Sequence, residues 1–212
     1  MATLLLRLQA PLQSWGISSL FTERDTAREP SKSGVIGLIC AALGRARDAD
    51  LTDLTRLRMG VRVDREGKLQ LDYQTSGNIL RSDGAMSKNA VVSHRYYLAD
   101  AVFLVGLEGE LAKLKEIDDA LRSPKWLLYL GRKAFPPTAS VWLDDGLRDG
   151  NLESELRSYP LLVDGEGKLR LLIEDENGAF LRHDVPLNFA ERKFTNRSIR
   201  IEMCDRPARR GA

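Results

Sequence analysis

The first predicted strand of this chain comes from residues Thr3 to Leu8, which are almost wholly apolar. An apolar run this short is more typical of a buried strand than of a helix. We therefore expect this segment to be a central strand of a sheet.

The next predicted element is a helix whose two ends are both marked in the sequence. Pro30 and the hydroxyls of Ser31 and Ser33 precede apolar residues at helical spacing, and Gly44 follows the last of them. A proline near the start, a hydroxyl that caps and a glycine at the end are common helix boundaries. Residues 9–29, before this helix, predict a long loop, and long loops in compact domains are often functional.

Alternating apolar and polar residues predict β-hairpins in two places. The first runs from Val61 to Tyr73 and turns at Glu66-Gly67, and the second is the similar run from Val163 to Leu171. Similar turn chemistry explains the likeness of the two runs more simply than an internal duplication does. Residues Arg95 to Leu107 and Ser198 to Met203 also have strand patterns.

Helices complete the predicted fold. An amphipathic helix spans Leu111 to Leu121 and closes at Ser123-Pro124, and shorter helices are expected at 50–56 and 152–159. This order of elements is α+β, and it suits a ferredoxin-like, RNA-recognition-type sheet with helices on one face. The length favours a single domain over residues 1–212.

One segment is expected to project from this domain. Residues 74–94 are rich in Ser, Gly, Asn and Asp, and their few hydrophobic side chains are too sparse to anchor them. Burial of so little apolar surface does not offset the entropy lost on ordering. The segment is therefore predicted to be mobile in the free chain and to become ordered on assembly.

Composition excludes several classes of protein. No apolar run approaches the roughly 18 residues that span a bilayer, and Arg7 interrupts the only apolar stretch near the start, so we expect a cytoplasmic protein without a membrane partner. Cys40 and Cys204 are far apart, and no His, Asp or Glu spacing suggests a metal site, so neither a metal nor a cofactor is expected. The net charge is only +2, but residues 182–210 are locally basic.

Two segments carry residue types that bind RNA. In the first loop, the indole of Trp15 could stack on a splayed base while Ser14 meets a phosphate, although Trp15 packing into the core is the alternative. At the start of the first helix, Ser31, Lys32 and Ser33 would offer free backbone N–H groups to a phosphate, or serve only as caps.

Cations supply the rest of the expected RNA site. Gly131 allows close backbone approach beside Arg132 and Lys133, and other cations stand in the first loop and in or beside the projecting segment. These other candidate RNA-binding cations are Arg24, Arg28, Arg81, Lys88 and Arg95. Of the neighbours Tyr96 and Tyr97, one is expected to face RNA and the other the core, because side chains alternate along a strand.

Four segments occur in a characteristic order: LRLQAPLQSWG, FTERDTAREPSKSGVIGLICAALG, HRYYLADAVFLVGL and LYLGRKAFPP. Together they resemble the Cas-five family of the RAMP superfamily, specifically its branch in type I-E CRISPR Cascade, from Thr3 to beyond Arg200. This resemblance implies a ferredoxin-like body, a protruding β-hairpin thumb at 74–94 and a C-terminal β elaboration at 160–205.

The resemblance also implies a function. Such a chain is a non-catalytic RNA-binding subunit of a ribonucleoprotein complex for antiviral defence, in which it caps the 5′ handle of the CRISPR guide RNA. Its protein partners are a CasC-type backbone subunit and a CasA-type large subunit, and target DNA is reached only through the complex. No catalytic residue is expected.

Two other functions stay open. Some type I-C relatives cleave CRISPR repeat RNA without a metal, using a tyrosine, a lysine and a histidine, but the only histidines here, His94 and His183, match no such setting. The other alternative is a structural subunit that bridges proteins and has little affinity of its own for RNA.

Overall fold

The structure is a computed structural model that describes residues 1–17, 22–80, 83–86 and 89–207. Its elements in chain order are β1 (Ala2–Gln9), β2 (Leu12–Gln13), β3 (Glu23–Arg24), α1 (Lys32–Leu43), α2 (Thr52–Thr55), β4 (Arg58–Arg65), β5 (Lys68–Ser76), β6 (Val91–Ala99), β7 (Val102–Gly109), α3 (Leu111–Arg122), β8 (Leu147–Arg148), α4 (Leu152–Ser158), β9 (Leu169–Glu174), β10 (Phe180–Asn188) and β11 (Lys193–Cys204). The predicted helices are all present, and Ser31 and Gly44 cap α1 as expected.

The larger sheet has the strand order β10-β11-β9-β4-β7-β1-β8. Within it, β8-β1-β7-β4 is the antiparallel strand order of a ferredoxin-like βαββαβ unit, with α1 and α3 as its two helices. The strand predicted at Thr3 to Leu8 lies between β7 and the two-residue strand β8, so it is an interior strand but lies next to the edge of the sheet rather than at its centre. The remaining strands, β9 to β11, extend the sheet beyond β4. The α+β fold class is therefore confirmed.

Both faces of this sheet are covered around β1, β4 and β7. Leu4, Leu6 and Leu8 share one buried cluster with apolar residues of α1 and α3, whereas Leu5 and Leu104 share a second cluster with residues of α4. Strand side chains alternate between faces, so these two clusters lie on opposite faces. The expectation of helices on one face only is wrong, because Leu152 and Leu156 of the short helix α4 pack against the other face.

Two glycines let α4 approach the sheet closely. Gly60 of β4 and Gly106 of β7 are cross-strand partners. A Cβ on Gly60 would lie 2.6 Å from Leu156 Cδ1, and one on Gly106 would lie 2.6 Å from Leu152 Cδ1. Both distances are shorter than van der Waals contact, so side chains here would displace the helix.

A buried ion pair fixes the end of α4. The guanidinium of Arg62 binds both carboxylate oxygens of Asp64, at 2.6 and 2.9 Å. It also donates to the backbone carbonyls of Leu156, Tyr159 and Pro160 at the C-terminus of the helix. Free carbonyls and the negative end of the helix dipole favour a cation at this position.

Neither predicted β-hairpin forms. The strands β4 and β5 flank the expected turn, but β4 pairs in the larger sheet and β5 pairs only with β6 in the smaller one. At the second place, residues 160–168 form no strand, and β9 pairs with β4 and β11. Alternation identifies strand residues but carries no information about the partner strand.

The smaller sheet is built around β6. Strand β5 pairs along one side of it, from Lys68 opposite Ala99 to Ser76 opposite Val91, while β2 and β3 pair along the other. Strands β5 and β6 thus form a long hairpin, and the predicted projecting segment 74–94 coincides with its distal end. In the part of the chain that the structure describes, no helix is both long and apolar enough to cross a membrane.

Candidate nucleic-acid interface

A groove of about 420 Å³ opens at the N-terminus of α1. Six segments line it: the loop after β2, the end of β3 with the residue after it, the start of α1, Arg47 in the loop after α1, the loop at Gly131, and the turn between β10 and β11 with the start of β11. The lining side chains include Ser14, Trp15, Arg24, Asp25, Ser31, Ser33, Arg47, Arg132, Phe189, Arg192 and Phe194. Four of these are arginines and one is an acid, so the groove is strongly basic.

Gly131 positions one wall of the groove. Its φ is +89°, and a Cβ here would overlap the carbonyl oxygen of Ser14. Only glycine fits this contact. The backbone N–H of Ser14 donates to the carbonyl of Leu130 at 3.2 Å, so the two loops are held together and the next residue, Arg132, enters the groove.

Arg132 carries an incompletely satisfied guanidinium. The group lies 4.7 Å above the ring centre of Tyr97, and its Nη2 donates to the carbonyl of Arg24 at 3.2 Å. Its Nη1 is buried and has no hydrogen-bond partner among the described residues. Burial lowers the pKa of Arg132; Tyr97 opposes this shift, and the charges of Arg95 and Arg24 act in the same direction as burial. A buried donor of this kind needs a partner, which an ordered water or an anion such as a phosphate can supply.

Two further arginines stand beside it. Arg24 of β3 and Arg95 of β6 are direct partners in the register of the smaller sheet. Like charges at such positions repel each other. Acids are also near, because Asp72 lies opposite Arg95 on β5 and Asp25 lines the groove. Arg24, Arg95 and Arg132, which we call the arginine cluster, form a concentration of positive charge that suits the phosphates of RNA.

The start of α1 is organised differently from the prediction. Ser31 caps the helix by accepting from the N–H of Gly34, but the N–H of Lys32 donates to the carboxylate of Asp184 at 2.8 Å. The Nζ of Lys32 is buried and lies 2.8 Å from Glu174. Burial lowers the pKa of Lys32, although Glu174 opposes this. The prediction that Lys32 binds RNA is therefore corrected: its amine and its backbone N–H are both bound by carboxylates more than a hundred residues away in sequence.

Trp15 belongs to the core. It is 1% exposed, its Nε1 donates to Gln13 Oε1 at 3.2 Å, and its ring covers Gly34. The interpretation in which Trp15 stacks on an RNA base is therefore corrected, because the faces of the indole are occupied. Of the tyrosine pair, Tyr97 is buried and stacks edge-on with Phe135, whereas Tyr96 is half-buried.

The other residues predicted to bind RNA do not all lie in the groove. Ser14 and Ser33 line the groove, and Lys133 is exposed one residue beyond Arg132. Arg28 is exposed but is not among the lining residues. Arg81 and Lys88 lie outside the described residues.

Two arginines and two phenylalanines of the lining were missed by the sequence reasoning. Arg192, at φ 54°, and Phe189 stand in the turn between β10 and β11, and Phe194 is the second residue of β11. Arg47 holds this turn, since its carbonyl accepts from the N–H of Ala190 at 3.2 Å. The basic C-terminal region was a signal for Arg192, whereas nothing local in the sequence marked Arg47 or the two phenylalanines.

The histidines lie apart from each other. His94 Nδ1 is 2.9 Å from Glu23 Oε1, and its ring meets Tyr73 edge-on at 5.6 Å. His183 Nδ1 is 2.8 Å from Asn196 Oδ1. Across the described ranges, no group of His, Cys, Asp and Glu side chains is arranged to hold a metal ion.

Comparison with known proteins agrees with this fold. Residues 3–201 match the family model of the CRISPR-associated protein (Cas_Cas5). The chain is 29% identical over 211 residues to the CRISPR system Cascade subunit CasD of Escherichia coli (strain K12), covering 92% of each chain.

Two solved structures are similar over nearly the whole chain. One, described as the crystal structure of a Cas protein, is 45% identical with a TM-score of 0.82 and covers 97% of this chain and 98% of its own. The other, from a CRISPR RNA-guided surveillance complex, is 36% identical with a TM-score of 0.82 and covers 97% of this chain and 91% of its own. This chain therefore belongs to the Cas-five family of CRISPR-associated proteins.

Proposed function

We propose that this chain is a non-catalytic Cascade subunit that binds the 5′ handle of the CRISPR guide RNA in the groove at the start of α1. The single observation that carries the proposal is the arginine cluster, in which Arg132 has a buried donor without a partner among the described residues. The similarity to a Cascade subunit and to a chain of an RNA-guided surveillance complex supports the same conclusion.

The covered sheet limits where RNA can bind. RNA-recognition motifs stack bases on aromatic side chains of an open sheet face. Here α4 occupies that kind of surface with Leu152 and Leu156. RNA contact therefore falls to the loops around the groove, where backbone and cations are accessible.

The hairpin of β5 and β6 is the proposed thumb, with 74–94 as its distal part. Leu69, Leu71 and Tyr73 alternate along β5 and are 48%, 55% and 61% exposed. The outer edge of β5 has no partner strand among the described residues. An exposed apolar stripe on an open strand edge suits a protein neighbour, and we assign it to the CasC-type backbone subunit. Contact with the CasA-type large subunit belongs to the same proposal and has no assigned surface.

The test of RNA binding uses the isolated chain and a single-stranded RNA that carries the handle. The double variant Arg24→Ala, Arg132→Ala is expected to bind more weakly and to lower the dependence of log K on log salt by about 0.7 for each phosphate that is no longer neutralised. Lys115→Ala is the matched control, because Lys115 is an exposed cation of α3 outside the groove.

An unchanged salt slope in the double variant would contradict the assignment of the groove. A wild-type chain that does not shift the RNA at all would favour the alternative function of a structural subunit that bridges proteins.

Ribonuclease activity is the second candidate, because His94 has a carboxylate and a tyrosine ring beside it. A general acid or base must reach the scissile 2′-OH or the leaving oxygen. We expect wild type, His94→Ala and His183→Ala all to leave a CRISPR repeat RNA intact in a cleavage assay. Cutting by wild type that disappears in either variant would overturn the non-catalytic assignment.

A further inference from the structure

A second groove, of about 340 Å³, continues from the first one along α1. The two share Ser33, Gly34, Arg47, Gly131 and Phe189 in their linings, so they form one continuous surface. The chemistry changes along it. The first groove is lined by four arginines, whereas the second is lined mainly by small apolar residues of α1 and by aromatic rings.

Three aromatic side chains line the second groove. Trp126 is 51% exposed, and Tyr129 and Phe189 are half-buried. Gly37 and Ala41 lie on the helix between them, and an added Cβ on Gly37 would already be 3.7 Å from the ring of Phe189. Phe189 therefore packs close over the helix at Gly37, and the room for a flat group is the groove of about 340 Å³ beside Trp126 and Tyr129.

Backbone contacts hold Trp126 in this position. The N–H groups of Lys125 and Trp126 donate to the carbonyls of Ala42 and Ala41, at 3.0 and 3.1 Å, at the C-terminal end of α1. The carbonyl of Ala41 also accepts from the N–H of the C-cap residue Gly44, at 3.3 Å. The exposed indole is thus attached to the helix that forms the floor of the groove, rather than to a free loop.

The cations at this groove have different roles. Arg45 is bound by both carboxylate oxygens of Asp53 and is half-buried. Arg47 is exposed, and its Nη2 donates a long hydrogen bond, 3.3 Å, to the carbonyl of Phe189. Arg47 lines both grooves, so it is placed to meet a phosphate that joins a nucleotide in one groove to a nucleotide in the other.

We propose that the second groove binds an unstacked nucleobase of single-stranded RNA, with Trp126 as the principal stacking surface and Arg47 on the adjoining phosphate. The inference rests on the proposed function, since it takes the same RNA to enter the first groove. Because the second groove is continuous with the basic first groove, RNA is favoured over an apolar peptide as the occupant. Stacking on a ring accepts any base, so this site adds affinity without reading sequence.

Fluorescence of the tryptophans gives a direct test. Trp15 is buried and Trp142 is half-buried, so Trp126 is the most exposed of the three. Oligoadenylate and oligouridylate are expected to quench its emission, and an abasic ribose-phosphate oligomer of the same length is not. The loss of quenching in Trp126→Phe identifies the responding indole.

Affinity measurements separate stacking from charge. Trp126→Ala is expected to weaken binding of oligoadenylate by about 5- to 150-fold while leaving the salt slope unchanged, and to leave binding of the abasic oligomer unaltered. Arg47→Ala is expected to reduce the salt slope for both oligomers. Phe180→Ala is the control, since Phe180 is 48% exposed on β10 and does not line either groove.

The outcomes distinguish this site from the proposed function. If wild type binds RNA with the expected salt slope but Trp126→Ala binds oligoadenylate as tightly as wild type, the base site is wrong and the basic groove stands. If wild type binds neither base-bearing oligomer, the base site and the RNA-binding role of the basic groove are both wrong. Equal loss of affinity for oligoadenylate and the abasic oligomer in Trp126→Ala also contradicts stacking, because it shows a general effect on the fold.

Discussion

At the scale of single residues, the positively charged side chains of this molecule occupy two kinds of environment. Lys32 and Arg62 are buried and fully bound by carboxylates or carbonyls, whereas Arg24 and Arg132 converge on a groove with other arginines. Sequence alone does not separate the two kinds, because the partners of Lys32 lie more than a hundred residues away in the chain. For this reason Lys32 was predicted to bind RNA although its role is structural. Arg47, which lines the groove, was not predicted.

The buried pair Arg62–Asp64 yields a stability prediction. Arg62→Met leaves the Asp64 carboxylate buried without its cation and frees three carbonyls at the end of α4, so it is expected to lower the free energy of unfolding by about 3–5 kcal/mol. The double variant Arg62→Met, Asp64→Leu is expected to be more stable than Arg62→Met alone. Urea denaturation of both variants measures this, and a double variant less stable than the single one would contradict it.

At the scale of elements, local sequence signals predicted which helices and strands form, but not which strands pair with each other. The caps at Ser31 and Gly44 and the amphipathic pattern of α3 are local, and both helices are present with nearly the predicted bounds. Pairing of β4 with β7 and β9 depends on residues far along the chain, and so does the position of α4 on the second face. The expected hairpin at Gly67 failed for this reason.

Helix α4 gives the prediction at this scale. Gly106→Ala is expected to cost about 1–3 kcal/mol, because its methyl group would overlap Leu152 in a packed core. Gly77→Ala is the matched control, since a Cβ at Gly77 meets nothing within 4 Å. Thermal denaturation compares the two, and the cost of Gly106→Ala is expected to shrink in a Leu152→Ala background. Equal melting temperatures for Gly106→Ala and wild type would show that α4 does not depend on the close approach.

At the scale of the whole molecule, the fold class and the family were predictable because four ordered motifs run through nearly the whole chain. The candidate groove was predictable only in part. Its loops were identified by Arg24, Gly131 and Arg132, but its far wall comes from the turn between β10 and β11, which reaches the groove only after the larger sheet has formed.

The proposed thumb gives the prediction for the assembly. Replacement of residues 79–92 by a short Gly/Ser linker is expected to leave the core folded, because the larger sheet contains none of these residues. The shortened chain should assemble poorly with its partner subunits or leave the 5′ handle open to nuclease digestion. Co-purification and a nuclease-protection assay measure the two effects. Normal assembly with a protected handle would show that this segment is dispensable.

The pairing of β1 with β7 has a consequence for synthesis. Strand β1 is translated before its long partner β7, which ends at Gly109, so roughly 100 further residues must be translated before the two can pair. At about 5–20 residues per second, the wait lasts about 5–20 s. During that interval the apolar side chains of β1 are open to chaperones and to other nascent chains.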